Sequence, residues 1–315
     1  MSAPAAFSWF PPLLTVDDEQ VVVAGQGCFV IFRYLAGGSA GSPHLATLCG
    51  PSGRNMVEDS PVDHLHHRGV WWGHGDINGV DYYLGLPVGA PLARPSPVGR
   101  GRIEHVGWQS IVDDAPRFGF VEELAWRDPS GTVVLAEQRS VLLHLVDGDH
   151  YTVDLDSTYT AQIEVAFGDT KEAALPGIRV AEVLTVAVGG TMINSRGQTG
   201  ELGTFGQPAE WLDISGERST IYMGMRAVEG IACLDHPDNP GHPNRWFTRG
   251  YGPVSPFPGH QFFDQRALGA GDQLRRRHRL VVHRGDAAGV AGVAGAGVAG
   301  AGVPGEYRRY CQGDG

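Results

Sequence analysis

The stretch YTVDLDSTY, residues 151–159, indicates the fold class. In an extended chain Val153 and Leu155 point to one side, while Asp154 and Asp156 point to the other, because successive side chains of a strand alternate between its two faces. This period of two is typical of a β-strand with one apolar and one polar face. We therefore predict that this region belongs to a sheet.

Similar segments rich in Val, Ile, Phe, Tyr and Thr recur along the chain between Gly, Pro, Asp and Asn residues. They are Gln20–Ala24, Cys28–Tyr34, Phe118–Trp126, Thr132–Leu135, Gln138–Leu145, Tyr151–Thr160, Gln162–Phe167, Gly177–Val188, Thr220–Ala227, Gly230–Leu234 and Leu274–His283. Helical patterns are scarce, and with 46 Gly and 21 Pro the loops must be numerous. About fifteen to twenty short strands fit this spacing. We predict an all-β fold, a large antiparallel β-sandwich of two stacked sheets.

The composition suggests one folded unit with a distinct C-terminal segment. Residues 1–286 are expected to form a single β-sandwich domain, because all-β folds of this length often do so. Residues 287–304 are an Ala/Gly/Val repeat that is too weakly apolar for a membrane span. We expect residues 287–315 to comprise this low-complexity segment and a flexible C-terminal tail.

The net charge and the cysteine pattern limit the cellular environment and the kinds of partner that we expect. The formal net charge is -11, whereas nucleic-acid binding needs a basic surface, so nucleic acid is not expected as a partner. The four cysteines lack CxxC spacing, Cys28 and Cys233 lie in apolar runs, and the N-terminus lacks the pattern of a secretory signal. We expect a cytoplasmic protein that binds a small molecule and no membrane.

The densest group of chemically active residues is DHLHHRGVWWGHGDINGVDYY, residues 63–83. Histidine titrates near neutrality, so it can act as a general acid or base, or bind a metal beside a carboxylate such as Asp76. In an extended segment His64 and His66 would share a face while His67 would project from the other, so convergence of all three needs a turn. The alternative is that one or two of the histidines bond backbone carbonyls while Trp71 and Trp72 divide between the core and a cleft wall.

Two further segments carry polar groups. The segment DHPDNPGHPNRWFTRGYG, residues 235–252, follows an apolar strand, and its three prolines prevent a regular element. A rigid loop at a sheet end can display Arg and Trp to a sugar or an anion, or the prolines can simply shape a turn. The segment FGDTKEAALPGIRVAE, residues 167–182, has charged side chains that could line a cleft or pair inside the sandwich.

Four ordered motifs resemble the PmoA-like family, a bacterial group often labelled methane oxygenase PmoA. They are DHLHHRGVWWGHGDIN (63–78), FGDTKEAALPGIRVAE (167–182), AEWLDISG (209–216) and GIACLDHPDNPGHPNRWFTRGYG (230–252). The resemblance spans roughly residues 20–285 and implies a sandwich similar to galactose mutarotase and carbohydrate chemistry. Gly69, Val70 and Gly241 depart from the residues that related chains often carry. Membrane-embedded copper chemistry does not fit a chain without apolar spans or a Met/Cys-rich site.

The leading hypothesis is an enzyme that uses histidine acid/base chemistry on a sugar, keto-sugar or similar polyol, as an isomerase, lyase or hydrolase. A non-catalytic carbohydrate-binding or regulatory module is one alternative, and a His/Asp metal-dependent oxygenase or hydrolase is another, although no HExxH spacing supports a metal. No cofactor is expected, since GxGxxG, Walker and GxSxG patterns are absent. The predicted catalytic residues are His66, His67 and His74, and the predicted substrate-binding residues are Arg68, Trp72, Asp76, Asn78, Lys171, Glu172, Arg179, His236, His242, Trp246, Arg249 and Tyr251.

Overall fold

The computed structural model describes residues 11–25, 29–38, 41–85, 99–146, 150–219, 226–256, 267–285 and 310–311. The predictions for Cys28 and for the repeat at residues 287–304 lie outside these ranges. None of the helices in the described part of the chain has the length and apolar character of a membrane-crossing segment.

Strands make up most of the described chain. In chain order they are β1 (Leu13–Val16), β2 (Gln20–Gly25), β3 (Phe29–Leu35), β4 (His44–Leu48), β5 (Val70–His74), β6 (Arg102–Asp114), β7 (Arg117–Arg127), β8 (Val133–Leu145), β9 (His150–Ala161), β10 (Val165–Ala166), β11 (Ala173–Arg179), β12 (Thr191–Asn194), β13 (Trp211–Ser219), β14 (Arg226–Asp235), β15 (Phe247–Thr248), β16 (Pro253–Ser255), β17 (Ala267–Leu268) and β18 (Gln273–Arg284). Within the described ranges, the short helix α1 (Gly200–Thr204) and the 3-10 turns Glu182–Leu184 and Val186–Val188 interrupt them.

Two eight-stranded sheets dominate the architecture. The first has the order β1-β2-β3-β4-β5-β11-β16-β15, the second has the order β12-β13-β14-β18-β9-β8-β7-β6, and β10 pairs with β17 as a separate ribbon. All these pairings are antiparallel. The prediction of a large antiparallel β-sandwich is confirmed.

The core lies between the inner faces of the two sheets. One continuous cluster joins Ile31 and Trp72 of the first sheet to Val153 and Leu155 of the second. The alternation predicted for residues 151–159 is observed, because the two neighbouring aspartates of β9 point outward and form ion pairs with arginines of β18. Each buried Val or Leu contributes about 1.5–3 kcal/mol to folding, so this alternation holds β9 in register.

The inter-sheet core also contains a charged network. Arg139 donates from Nε and Nη2 to the two carboxylate oxygens of Glu137 at 2.8 and 2.9 Å, and from Nη1 to the Tyr34 hydroxyl at 2.8 Å. A second carboxylate, Glu122, lies 3.7 Å from Nη1. The guanidinium carbon of Arg139 is 3.8 Å from the ring centroid of Trp72. Charges that are removed from water in this way are stable only as a mutually bonded set.

Several strands differ from the predicted segments. The segment predicted at Gly177–Val188 contains only the end of β11 and then two 3-10 turns, and Gln162–Phe167 contains only the two residues of β10. Strands β6 and β13 were not predicted, because glycine and charged residues break their apolar alternation. The edge strand β6 pairs with β7 through two register shifts, between His105 and Gly107 and between Trp108 and Ser110.

Candidate active site

Three adjacent strands of the first sheet place polar and aromatic side chains on its outer face. His44 on β4 is the register partner of Trp71 on β5, and Gly177 on β11 is another partner of Trp71. Arg179 lies two residues beyond Gly177 and so projects from the same face. Trp72, the next residue after Trp71, faces the inner core instead.

The segment at residues 61–67 folds over this outer face as consecutive turns. The His64 N–H donates to the Pro61 carbonyl at 3.0 Å, and the His67 N–H donates to the His64 carbonyl at 2.9 Å. Because the segment is not extended, the imidazoles of His64, His66 and His67 converge on one side of the chain.

Four rings form a column, which we call the ring stack, in the order Tyr251, His64, His67 and Trp71. Successive ring centroids are 5.1, 4.7 and 5.1 Å apart, with interplanar angles of 17°, 5° and 21°. His66 meets the column edge-on, with centroid distances of 5.6 Å to His64 and 4.6 Å to His67. Residues from both predicted site segments, 63–78 and 235–251, therefore meet here.

Arg179 holds the ring stack together from one side. Its Nη1 donates to Nδ1 of His67 at 3.3 Å, and its Nη2 donates to both carboxylate oxygens of Asp63 at 3.1 and 3.0 Å. Because a guanidinium only donates, Nδ1 of His67 is an acceptor and the neutral ring carries its proton on Nε2. Burial, with the neighbouring charges of His66 and His64, lowers the pKa of His67 to about 2. His67 is therefore neutral near pH 7.

Asp63 and His64 form a carboxylate–imidazole pair at the rim. Nδ1 of His64 lies 2.8 Å from Oδ2 of Asp63, and both side chains are partly exposed. Burial opposes ionisation of Asp63, but the hydrogen bonds from His64 and Arg179 lower its pKa. A carboxylate on Nδ1 orients the ring and leaves Nε2 for a proton transfer. Neither residue is among the predicted catalytic or substrate-binding residues, although the two are adjacent in the chain.

Arg68 lies beneath the turns and does not face outward. Its Nε donates to Oδ1 of Asp59 at 2.6 Å, and its Nη2 donates to Nε2 of His44 at 3.2 Å. Nδ1 of His44 is 2.8 Å from the carbonyl oxygen of Ser42. With 4% of its surface exposed, Arg68 anchors the 58–69 segment to the sheet rather than presenting its guanidinium to a ligand.

The structure corrects the expectations for Trp72, His74 and Trp246, which lie in the protein interior. Strand alternation turns Trp72 and His74 of β5 inward, where His74 packs edge-on against Phe167 at 5.3 Å. Trp246 is fully buried and donates from its indole nitrogen to the Ala209 carbonyl at 2.9 Å. None of these three rings offers a surface on which a sugar could stack.

The other predicted residues between positions 76 and 172 serve turns or lie at the surface. Asn78 adopts a left-handed conformation with a φ of 53° and bonds the backbone of Glu164 and Ala166. Asp76 accepts a hydrogen bond from the Gly79 N–H at 2.9 Å. The side chain of Lys171 is exposed, and that of Glu172 is half-buried.

The proline-rich loop is organised by a buried carboxylate, Asp235. It accepts hydrogen bonds from the backbone N–H of Asn244 at 2.9 Å, from the side-chain amide of Asn239 at 2.7 Å, and lies 2.9 Å from Nδ1 of His242. Burial opposes its ionisation, but the hydrogen bonds from His242 and His278 lower its pKa strongly. His242 therefore shapes this loop, in agreement with the turn alternative.

Arg249 and His236, two other predicted residues of this segment, have aromatic neighbours. The guanidinium of Arg249 lies 4.5 Å from the ring centroid of Phe205 and 4.6 Å from that of Phe247, with Glu201 at 3.5 Å. His236 packs against Tyr310. Of the predicted residues in the 235–251 segment, only Tyr251 joins the ring stack in the contacts that the structure describes.

Replacing Asp235 with Ala should lower the free energy of unfolding by about 3 kcal/mol, because His242, Asn239 and Asn244 would lose a buried charged acceptor. Urea unfolding followed by circular dichroism measures this loss. The matched control is Asp238→Ala, in which a 70% exposed carboxylate paired with Arg277 is removed. That change should have a much smaller effect, because an exposed ion pair contributes little to stability. Equal effects of the two substitutions would contradict the role of Asp235.

Acid should weaken the fold through His74. Burial lowers its pKa to about 4, below the pKa of a histidine in the unfolded chain. Between these two pKa values the unfolded chain binds a proton and the folded chain does not. Stability from this residue is therefore lost as the pH falls from above 6.5 towards 4. Between pH 8 and pH 5 we expect the wild type to lose about 2 kcal/mol more than His74→Asn. Urea unfolding of both proteins at pH 8 and at pH 5 tests this. An equal loss of unfolding free energy in the wild type and in His74→Asn would refute it.

The described residues contain no group of three or more His, Cys, Asp or Glu side chains arranged to hold a metal ion.

Comparisons with known proteins match the chain to a family without an assigned activity. A family model described as a family of unknown function, DUF6807, matches residues 20–294. None of the curated protein sequences matches the chain. A galactose mutarotase related enzyme from Lactobacillus acidophilus is 7% identical, with 86% of this chain and 97% of that chain covered and a TM-score of 0.32. A GalM/aldose epimerase homologue from C. elegans is 8% identical, with 87% and 98% covered and a TM-score of 0.32.

Proposed function

The chain belongs to the DUF6807 family of unknown function, and from the geometry of its ring stack we propose that it is an enzyme that transfers protons on a sugar, keto-sugar or similar polyol. The reaction would be an isomerisation, an elimination or a hydrolysis. A cytoplasmic location and a carbohydrate-like small molecule as partner belong to the same proposal. The resemblance to the PmoA-like family stays a prediction.

One observation carries the proposal: two partly exposed imidazoles, His64 and His66, lie with their ring centroids 5.6 Å apart. Isomerisation and elimination need one group that removes a proton and another that supplies one. His64 has the carboxylate of Asp63 on Nδ1, which favours the base role. His66 then acts as the partner acid. His67, which is buried and neutral, keeps the two rings in place.

The surroundings of these imidazoles support a polyol as substrate. Tyr251 ends the ring stack with 37% of its surface exposed, and an aromatic face of this kind packs against the apolar face of a sugar ring. The rim carboxylates of Asp63 and Glu58 are partly exposed and can accept hydrogen bonds from hydroxyl groups. Three carboxylates, of Glu58, Asp59 and Asp63, surround two guanidinium groups, so the site has no excess positive charge for a strongly anionic ligand.

The test is deuterium exchange. Purified protein is incubated in D₂O with a panel of aldoses, ketoses and oxidised sugars, and carbon-bound deuterium and new products are followed by NMR. We expect exchange or a product with at least one member of the panel. Binding of intact sugars with neither exchange nor product would replace the proposal by a carbohydrate-binding module. Activity that requires an added divalent ion and disappears with a chelator would replace it by a metal-dependent enzyme.

A further inference from the structure

The outer face of the second sheet has an apolar patch that is covered by Tyr310. The floor of this Tyr310 patch comes from three adjacent strands and consists of Trp211, Ala232, Leu234 and Val281. Tyr310 itself is 8% exposed, although residues 285–309 separate it from the end of β18. A residue so distant from the sheet in sequence is thus held by the folded domain.

The patch has features that recognise an aromatic ring rather than any apolar group. The guanidinium carbon of Arg279 lies 4.8 Å from the Tyr310 ring centroid, and Arg279 is itself held by both carboxylate oxygens of Asp154 at 2.6 and 2.8 Å. His236 meets the same ring at 4.8 Å and 89°. A cation over the ring and an edge-to-face neighbour both depend on an aromatic face, so they select Tyr or Phe over an aliphatic side chain.

We propose that the Tyr310 patch is a docking surface for the chain's own C-terminal segment, that Tyr310 is its anchor, and that a free peptide of the same sequence exchanges with it. Burial of one aromatic ring gives only a weak association between separate molecules. A covalent connection raises the local concentration of the segment to the millimolar range, so docking within one chain is favoured over binding of a separate molecule and is readily reversible.

A competition experiment with the full-length protein tests this. A fluorescent peptide of residues 305–315, GEYRRYCQGDG, is kept reduced and its anisotropy is measured against wild-type and Tyr310→Ala proteins. The Tyr310→Ala protein should bind the peptide about twofold to tenfold more tightly than the wild type, because its own segment no longer fills the patch. A peptide carrying Tyr310→Ala should not bind either protein.

The matched control is Tyr307→Ala, which removes the other tyrosine of the segment and should leave peptide binding at the wild-type level. Circular dichroism of each variant verifies that the domain is folded. Equal binding of the peptide to the wild-type and Tyr310→Ala proteins, or binding to neither, would overturn the proposal. A concentration-dependent dimer of the wild type that is lost in Tyr310→Ala, measured by light scattering, would also overturn it, since the segment would then dock on a second copy.

Discussion

Replacing His66 with Ala should lower the turnover of the substrate identified by deuterium exchange by about 10²-fold to 10⁴-fold. His66 touches the edges of His64 and His67 without being part of the column, so its removal deletes one proton-transfer group and leaves the ring stack in place. The Michaelis constant should change much less than the turnover number, because the substrate ring would still contact Tyr251. Steady-state kinetics of the two proteins measure both quantities.

His144→Ala is the matched control for this experiment. His144 is a half-buried histidine on β8 of the second sheet, and its replacement should leave turnover unchanged. His64→Ala should show a loss similar to that of His66→Ala, since the two groups act on the same reaction. Wild-type turnover in both His64→Ala and His66→Ala would remove the acid/base assignment, even if the protein remained an enzyme.

The largest loss of stability is expected from Arg139→Met. The substitution leaves the carboxylates of Glu122 and Glu137 buried between the sheets without their common cation, and breaking such a buried pair costs about 3–5 kcal/mol. Methionine fills part of the space over Trp72, so the loss is electrostatic rather than a cavity effect. Urea unfolding at pH 7 measures it.

A surface arginine provides the comparison for Arg139. Arg275 is 56% exposed and pairs with Asp156, so Arg275→Met should cost less than about 1 kcal/mol. The deficit of Arg139→Met should shrink as the pH falls towards 4, because burial already raises the pKa of Glu122 and this stranded carboxyl group can then take up a proton. A deficit below about 1 kcal/mol at pH 7, or one that grows in acid, would contradict this account.

The fold was predictable because strand periodicity is a local property of the sequence. Residues 151–159 alternate as the packed β9 requires, and the apolar segments of β7, β8, β14 and β18 lie close to their predicted positions. Strands β6 and β13 were missed because neighbouring strands, not their own composition, keep them extended. The 3-10 turns after β11 were missed for a different reason, because the Val- and Leu-rich segment Gly177–Val188 has the composition of a single strand.

The site was predictable only in part, because the sequence alone does not determine which face of a strand points towards solvent. The dense histidine segment was identified, yet Trp71 rather than Trp72 supports the ring stack, and His74 lies in the core. Two turns between Pro61 and His67 bring His64 into the column, and no local sequence pattern predicted these turns. Arg179 lies in the site because β11 pairs with β5. This is a tertiary pairing, which the local sequence does not specify.

The two register shifts along β6 have a further effect on how copies of this molecule meet. An edge strand normally presents an unbroken series of backbone amides and carbonyls, on which another chain can extend the sheet. Each shift twists β6 and interrupts that series, so an approaching strand finds groups at the wrong spacing. Among the strands that the structure describes, this edge of the second sheet is therefore a poor template for fibril growth.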